Sequence, residues 1–170
     1  MPSSRFLIER LLRPIDFDAA TSIVQLGVGT ACITRGLLER MNPTCALTCV
    51  EVDGSFVAEC AGIDDPRLTV HHACATNFRE LLTTAGVPAV DHIVSTLPLT
   101  ILDDGLADKI LDTAQACLSP GGKFLQYQYS PTYLRRLSAR YGDVRLGFTL
   151  RNIPPAFVYE CVNHRVPATA

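Results

Sequence analysis

The apolar run Ile23-Val24-Gln25-Leu26 passes straight into Gly27-Val28-Gly29-Thr30, and a second apolar stretch ends in Val50-Glu51-Val52-Asp53. Few folds accommodate that order. It predicts a buried strand, a glycine turn that opens a helix, and a neighbouring strand that finishes on an acid. Gly27 and Gly29 let the backbone turn tightly and approach a ligand where a Cβ would stand in the way. Glu51, about 20 residues beyond the turn, falls where a carboxylate accepts hydrogen bonds from ribose hydroxyls. The arrangement suits a nucleoside cofactor, contacted by Gln25, Gly27, Gly29 and Thr30 at the first turn and by Glu51 and Val52 at the second.

The rest of the chain continues the alternation. Residues 4–13 read as an amphipathic helix, capped by Ser3 or Ser4 and stopped before Pro14. Strand 22–26 leads to helix 30–41, with Ile33, Leu37, Leu38 and Met41 at helical spacing. Strand 46–51, helix 54–61, strand 67–71, helix 77–84 and strand 90–95 follow. Asp103 or Asp104 caps a helix that runs to Leu118, and Ser119-Pro120-Gly121-Gly122 stops it and turns the chain into strand 123–129. A helix over 131–140 and strands 143–151 and 156–163 complete the pass. Helices alternating with strands up to residue 140 predict one α/β domain over residues 1–170, built on a mostly parallel sheet. Two consecutive strands at the end predict a closing antiparallel hairpin. Ligands of such sheets lie outside the carboxyl ends of the strands, near the switch in strand order. The ligand-facing segments are then 27–30, 51–53, 72–74, 95–98 and 128–131, which adds Ala73, Cys74 and Ser95 to the expected cofactor contacts.

A domain of 170 residues buries about 70% of its unfolded surface, and a hydrophobic content of 48% can fill such a core. No apolar run is long enough to span a bilayer, and no signal-peptide segment follows Met1-Pro2-Ser3-Ser4-Arg5. A cytoplasmic protein is expected, at most peripheral at a membrane surface. The net charge of −2 provides no global field for nucleic acid. The seven cysteines (Cys32, Cys45, Cys49, Cys60, Cys74, Cys117 and Cys161) are odd in number and form no Cys-x-x-Cys pair, so they read as small hydrophobes of a reducing compartment. His71-His72 beside Cys74 invites a metal, but adjacent strand residues point to opposite faces, and no metal site is expected.

Leu26-Gly27-x-Gly29-Thr30, the strand ending in Glu51, and Leu118-x-Pro120-Gly121-Gly122 before the fifth strand together resemble class I S-adenosylmethionine-dependent methyltransferases. A narrower resemblance lies in Pro2-Ser3-Ser4-Arg5-Phe6-Leu7, Leu12-Arg13-Pro14-Ile15-Asp16, Thr96-Leu97-Pro98-Leu99, Phe124 to Pro131, and Asn152 to Tyr159. These segments are similar to the bacterial phospholipid N-methyltransferases, relatives of the ribosomal RNA adenine dimethylases. The resemblance implies a Rossmann-like sheet of seven strands, S-adenosylmethionine as cofactor, S-adenosylhomocysteine as product, and methyl transfer to the amine of phosphatidylethanolamine or a related lipid. Many members carry a further amphipathic segment upstream of the Pro-Ser-Ser motif. Three positions depart from the family: Gln25 stands for a Glu, Val28 for a Pro, and His72-Ala73 for the Gly-Asp whose acid receives the adenine amino group. Alanine offers no side-chain acceptor. Two other readings therefore stay open: methylation of a small soluble metabolite, and a non-catalytic binding module.

Methyl transfer from a sulfonium is an in-line displacement, accelerated by holding nucleophile and methyl about 3–3.5 Å apart. An amine attacks in its neutral form, so a nearby oxygen that accepts its proton assists. Thr96 and Tyr129, at predicted strand ends, are the catalytic candidates. Tyr127 shares a strand face with Tyr129, and aromatic faces attract methylated ammonium groups. Adenine N6-methyltransferases place Asn-x-Pro-aromatic where this chain has Thr96-Leu97-Pro98-Leu99, which argues against an RNA acceptor. Arg5, Arg10 and Arg13, with Arg135, Arg136 and Arg140, form two basic patches suited to anionic head groups.

Overall fold

The structure, a computed structural model, describes residues 4–165. Helix α1 (Arg5–Leu12) is followed by β1 (Ser22–Leu26), α2 (Cys32–Arg40), β2 (Ala46–Glu51), α3 (Gly54–Ala61) and β3 (Leu68–His72). Then come α4 (Phe78–Thr84), β4 (Val90–Ser95), α5 (Asp104–Cys117), β5 (Leu118–Gln128), α6 (Leu134–Ser138), β6 (Asp143–Thr149) and β7 (Ala156–Val162). The sheet has seven strands in the order β3-β2-β1-β4-β5-β7-β6. The first five strands in that order pair in parallel, and β7 is antiparallel to both β5 and β6. The order reverses between β1 and β4, which opens a crevice at their carboxyl ends.

Alternation along the strands builds two cores. Val24, Leu26, Phe124, Tyr159 and Cys161 pack on one face with α4, α5 and α6. Ile23, Leu125, Ala156 and Val158 pack on the other with α1, α2 and α3. Five of the cysteines are buried, while Cys32 and Cys74 are half-buried, and all seven are free thiols. Among the described residues, no helix is long and apolar enough to cross a membrane.

The expected caps and boundaries are met closely, with two differences. The Ser4 hydroxyl accepts from the Leu7 N–H at 3.2 Å and caps α1, while Ser3 lies outside the described residues. Of the two candidate caps of α5 it is Asp103 that serves, accepting from the N–H groups of Gly105 and Leu106. The segment 119–122 is not a turn ahead of the strand. β5 already begins at Leu118, opposite Val90, and its next partner on β4 is Lys123 opposite His92, so 119–122 bulge from that ladder. Their backbone finds Asn163 instead: Gly121 N–H donates to its carbonyl at 2.7 Å, and its own N–H donates to Gly122 O at 2.8 Å. The helix placed at 131–140 is shorter, a 3-10 turn over Pro131–Tyr133 followed by α6.

One basic patch is also corrected. Arg136 pairs with Asp104 at 2.8 Å and Asp108 at 3.4 Å, and Arg140 with Asp108 at 2.9 Å and Asp112 at 2.7 Å. These guanidinium groups fasten α6 to α5 and present no free charge to a head group. Arg5, Arg10 and Arg13 of the other patch form no ion pair among the described residues.

His92 on β4 carries a pH dependence. Burial lowers its pKa from 6.5 to about 4, so the fold keeps the ring neutral where the unfolded chain protonates it. The unfolded state then binds more protons between those values, and stability falls as pH drops through that window. The expected loss between pH 6.5 and 4.5 is about 2–3 kcal/mol. Urea midpoints at the two pH values check it, and in His92→Leu this part of the slope should vanish.

Candidate active site

Gly27 and Gly29 adopt φ values of +78° and +51°, which carry the chain from β1 over the sheet edge toward α2. Gly27 requires glycine on two counts. A Cβ there would lie 2.8 Å from Thr96 Oγ1 and 3.1 Å from Leu97 Cδ2, and its φ is left-handed. At Gly29 a Cβ would meet nothing within 4 Å, so the loop faces open space where a ligand can approach.

Glu51 closes over this loop from β2. Its Oε2 accepts from the N–H groups of Val28 at 2.7 Å and Gly29 at 3.3 Å, and its Oε1 from those of Val52 at 2.8 Å and Asp53 at 2.9 Å. One carboxylate thus joins the glycine turn to the start of α3. Gln25 stands behind the turn, fully buried. Its Nε2 donates to Gly27 O at 3.0 Å, and its Oε1 accepts from Thr34 Oγ1 at 2.8 Å. Both ends of this amide are used inside the protein, so its influence on a ligand passes through the position of Gly27. Thr96 reaches the same carbonyl from β4, donating from Oγ1 at 3.0 Å. Ser95 is buried and accepts weakly from Leu97 N–H at 3.4 Å.

Two cavities flank the glycine turn, each of about 180 Å³. The first is apolar, walled by Gly27, Val52, Ala73, Cys74, Leu102 and Leu106, with Glu51 at its margin. The second is more polar and is lined by Gly29, Thr30, Cys32, Phe56, Thr96 and Tyr127. The Cys74 thiol accepts from Thr76 Oγ1 at 3.2 Å, which lowers its pKa below the ordinary thiol value. Tyr129 lies just past the end of β5, 53% exposed, with its ring edge-on to Tyr127 at 5.8 Å. The shared face of these two tyrosines is as expected. Tyr127, however, is the one that lines the cavity beside Thr96, while Tyr129 stands at its rim. Among the described residues, no group of three His, Cys, Asp or Glu side chains comes together to hold a metal.

Sequence reasoning missed the clamp on the 96–99 loop. Gln126 and Gln128, both buried, donate from Nε2 to Leu97 O at 3.0 and 2.9 Å, and Tyr133 Oη donates to Leu99 O at 2.7 Å. The signal was present in Gln126-Tyr127-Gln128-Tyr129, where period two puts both amides on the face opposite the tyrosines. Together these bonds fix Thr96 against the glycine turn.

The residues fit a nucleoside-bearing sulfonium. The apolar cavity suits a purine, Glu51 at the end of β2 spends both oxygens on backbone N–H groups and so shapes the turn that a ribose would meet, and the open turn at Gly29 leaves room beside the second cavity. At Ala73 the cavity wall supplies no carboxylate, so side-chain recognition of an adenine amino group is lacking there.

Comparison with known proteins agrees. No family model matches the chain. It is 30% identical over 168 residues to the ornithine lipid N-methyltransferase of Singulisphaera acidiphila, covering 94% of this chain and 85% of that one. The N-methyltransferase NodS from Bradyrhizobium japonicum WM9, solved with S-adenosylhomocysteine, superposes with a TM-score of 0.67 at 15% identity, over 93% of this chain and 84% of that one. TrmN from Thermus thermophilus gives a TM-score of 0.68 at 22% identity, over 91% of this chain and 48% of its own. At those identities the two structures show a shared fold. With the lipid enzyme matched over nearly the whole chain, the conclusion is direct: the chain belongs to the class I S-adenosylmethionine-dependent methyltransferases, in the family of the ornithine lipid N-methyltransferase.

Proposed function

We propose that this methyltransferase acts on the primary amine of a lipid head group, of the ornithine-lipid or phosphatidylethanolamine kind. The observation that carries the reading is the match to a lipid N-methyltransferase across 94% of the chain. S-adenosylmethionine is the methyl donor and supplies an electrophilic carbon on a sulfonium. Glu51, Gly27 and Gly29 would hold it, with Ala73 and Cys74 walling the purine. In the transfer, an N–C bond forms as the S–C bond breaks, and the amine gives up one proton.

The chain's own part is positional. Thr96 Oγ1 donates a hydrogen bond to Gly27 O, which leaves its lone pairs to accept a hydrogen bond from the neutral amine and orient it, while the proton the amine gives up passes to solvent. Tyr127 presents an aromatic surface in the same cavity, and Tyr129 extends it to the rim. Ring faces attract an ammonium that gains charge as it is methylated, by about 0.5–2 kcal/mol.

The test is methyl incorporation from labelled S-adenosylmethionine with four acceptors side by side: ornithine lipid and phosphatidylethanolamine in mixed micelles, and water-soluble ornithine and ethanolamine. Label in a lipid arm is expected. Tyr127→Ala should lower turnover by roughly 10-fold, while Tyr127→Phe, which keeps the ring, should retain most of it. Label confined to the soluble amines would overturn the lipid reading in favour of a metabolite acceptor.

A further inference from the structure

Among the described residues, most of the large apolar side chains that water still reaches gather at one edge of the sheet, Val52 past the end of β2 included, while Leu146 and Phe148 lie within β6. Ile101, Tyr129, Leu150 and Ile153 follow the carboxyl ends of strands or sit in the β6–β7 loop, and Phe6 stands beside that loop. Topology explains the gathering. β7 is antiparallel to β5, with Phe157 opposite Gln128, and Ala156 lies opposite Thr149 of β6. The 150–155 loop therefore leaves and re-enters the sheet on the edge where β5 ends, which is also the edge of the glycine turn. The start of α1 is tied to the same loop: Ser4 N–H donates to Asn152 Oδ1 at 3.2 Å, and its hydroxyl donates to Arg151 O at 3.0 Å. Ile101, Ile153 and Leu150 are 80%, 79% and 73% exposed. Single exposed hydrophobes need no explanation, but a group of them around one opening does.

Charge accompanies this rim. Arg151 and Arg5 lie over the Phe6 ring at 5.0 and 5.3 Å, and neither has an ion-pair partner among the described residues. Further along α1, Arg10 and Arg13 share a groove of about 250 Å³ with Arg145 of β6. The contrast with Arg136 and Arg140, both neutralised by aspartates, is sharp.

We propose that the rim is a membrane-docking surface. Leu150, Ile153 and Ile101 enter the head-group region of an anionic bilayer, Arg5 and Arg151 meet its phosphates, and the cavities beside Gly27 open toward the lipid. Apolar side chains edged by unpaired guanidinium groups complement such an interface in both hydrophobicity and charge. A second copy of the chain is a poorer occupant, because a two-fold contact through this rim sets the same arginines against each other. The inference rests on an amine lipid as acceptor for its purpose, but docking is measured without methyl transfer.

The chain contains no tryptophan, so Ile153→Trp makes a single-indole reporter. Ala85→Trp, on the exposed turn ahead of β4 at the opposite sheet edge, is its control. With vesicles of phosphatidylcholine and phosphatidylglycerol, the Ile153→Trp emission should shift to the blue and be quenched by brominated acyl chains, while the control should do neither. Leu150→Glu combined with Ile153→Glu should lower vesicle partitioning of the full chain at least about 10-fold, and Arg151→Gln about fivefold. Both variants should keep the helix signal and S-adenosylmethionine affinity of the parent. Three results would each overturn docking through this rim: no binding to anionic vesicles, binding without any change at Ile153→Trp, or a blue shift that follows protein concentration in the absence of lipid. Docking with no methyl incorporated into lipid would overturn the acceptor reading alone. Label in detergent-dispersed lipid without vesicle binding would leave that reading standing and remove the docking surface.

Discussion

Glu51→Ala is expected to weaken S-adenosylmethionine binding by about 1.5–3 kcal/mol, roughly 10- to 150-fold. The reason is geometric as much as chemical. The carboxylate accepts four backbone N–H groups, two from the glycine turn and two from the residues that open α3. Alanine frees the turn that must meet the cofactor, and removes the carboxylate proposed to face its ribose. Val28, itself buried, is left with an N–H that has lost its 2.7 Å partner, at a cost to stability of about 1–3 kcal/mol. Glu51→Gln separates the two effects poorly but usefully. Its oxygen can serve one pair of donors, while its NH2 group faces the other pair with a donor of its own. Its affinity should fall near that of alanine and well below the parent. Isothermal calorimetry measures both variants, and a folded Glu51→Ala protein with parental affinity would remove Glu51 from the cofactor site.

How far the chain disclosed this site in advance depends on the kind of interaction. Strand and helix placement was legible because apolar periodicity and caps are local: Ser4 and Asp103 bond within their own first turns. Glu51 and the glycines were legible because the strand–turn–helix order dictates which edge they share. The bulge at 119–122 was not, since its partner Asn163 lies some 40 residues on and no local rule connects them. Neither was the role of Gln25. A polar residue inside an apolar strand reads as a site residue, and its partners Gly27 O and Thr34 become visible only when α2 packs behind the turn. The preference for Tyr129 over Tyr127 turned on which one stands nearer the carboxyl end. Packing puts Tyr127 in the cavity wall, since β5 ends at Gln128 and Tyr129 lies beyond it, 53% exposed. Charge was the least legible: six arginines looked equivalent on their helices, and only the approach of α5 distinguishes the neutralised pair from the free ones.

Gly27→Ala is expected to be the most damaging single methyl group that can be added near the site. At φ +78° a side chain costs about 1–2 kcal/mol in the left-handed region, and overpacking against backbone-anchored neighbours adds about 1–3 kcal/mol. The nearest obstacle, Thr96 Oγ1 at 2.8 Å, is not free to turn away, since it is held to Gly27 O at 3.0 Å. That carbonyl is also held by Gln25 from below, so the turn cannot relax without breaking one bond or the other. A double-mutant cycle apportions the loss. Thr96→Ala alone should cost about 0.5–1.5 kcal/mol for its hydrogen bond. Combined with Gly27→Ala it should cost less than the sum, because the oxygen that obstructs the new methyl has gone, while the penalty on φ and the contact with Leu97 remain. Urea unfolding of the four proteins yields the coupling, and cofactor titration follows it: undetectable binding in Gly27→Ala, with partial return in the double variant. Strict additivity would mean that Thr96 does not press on the turn, and its place beside the methyl-transfer site would then rest on the cavity wall alone.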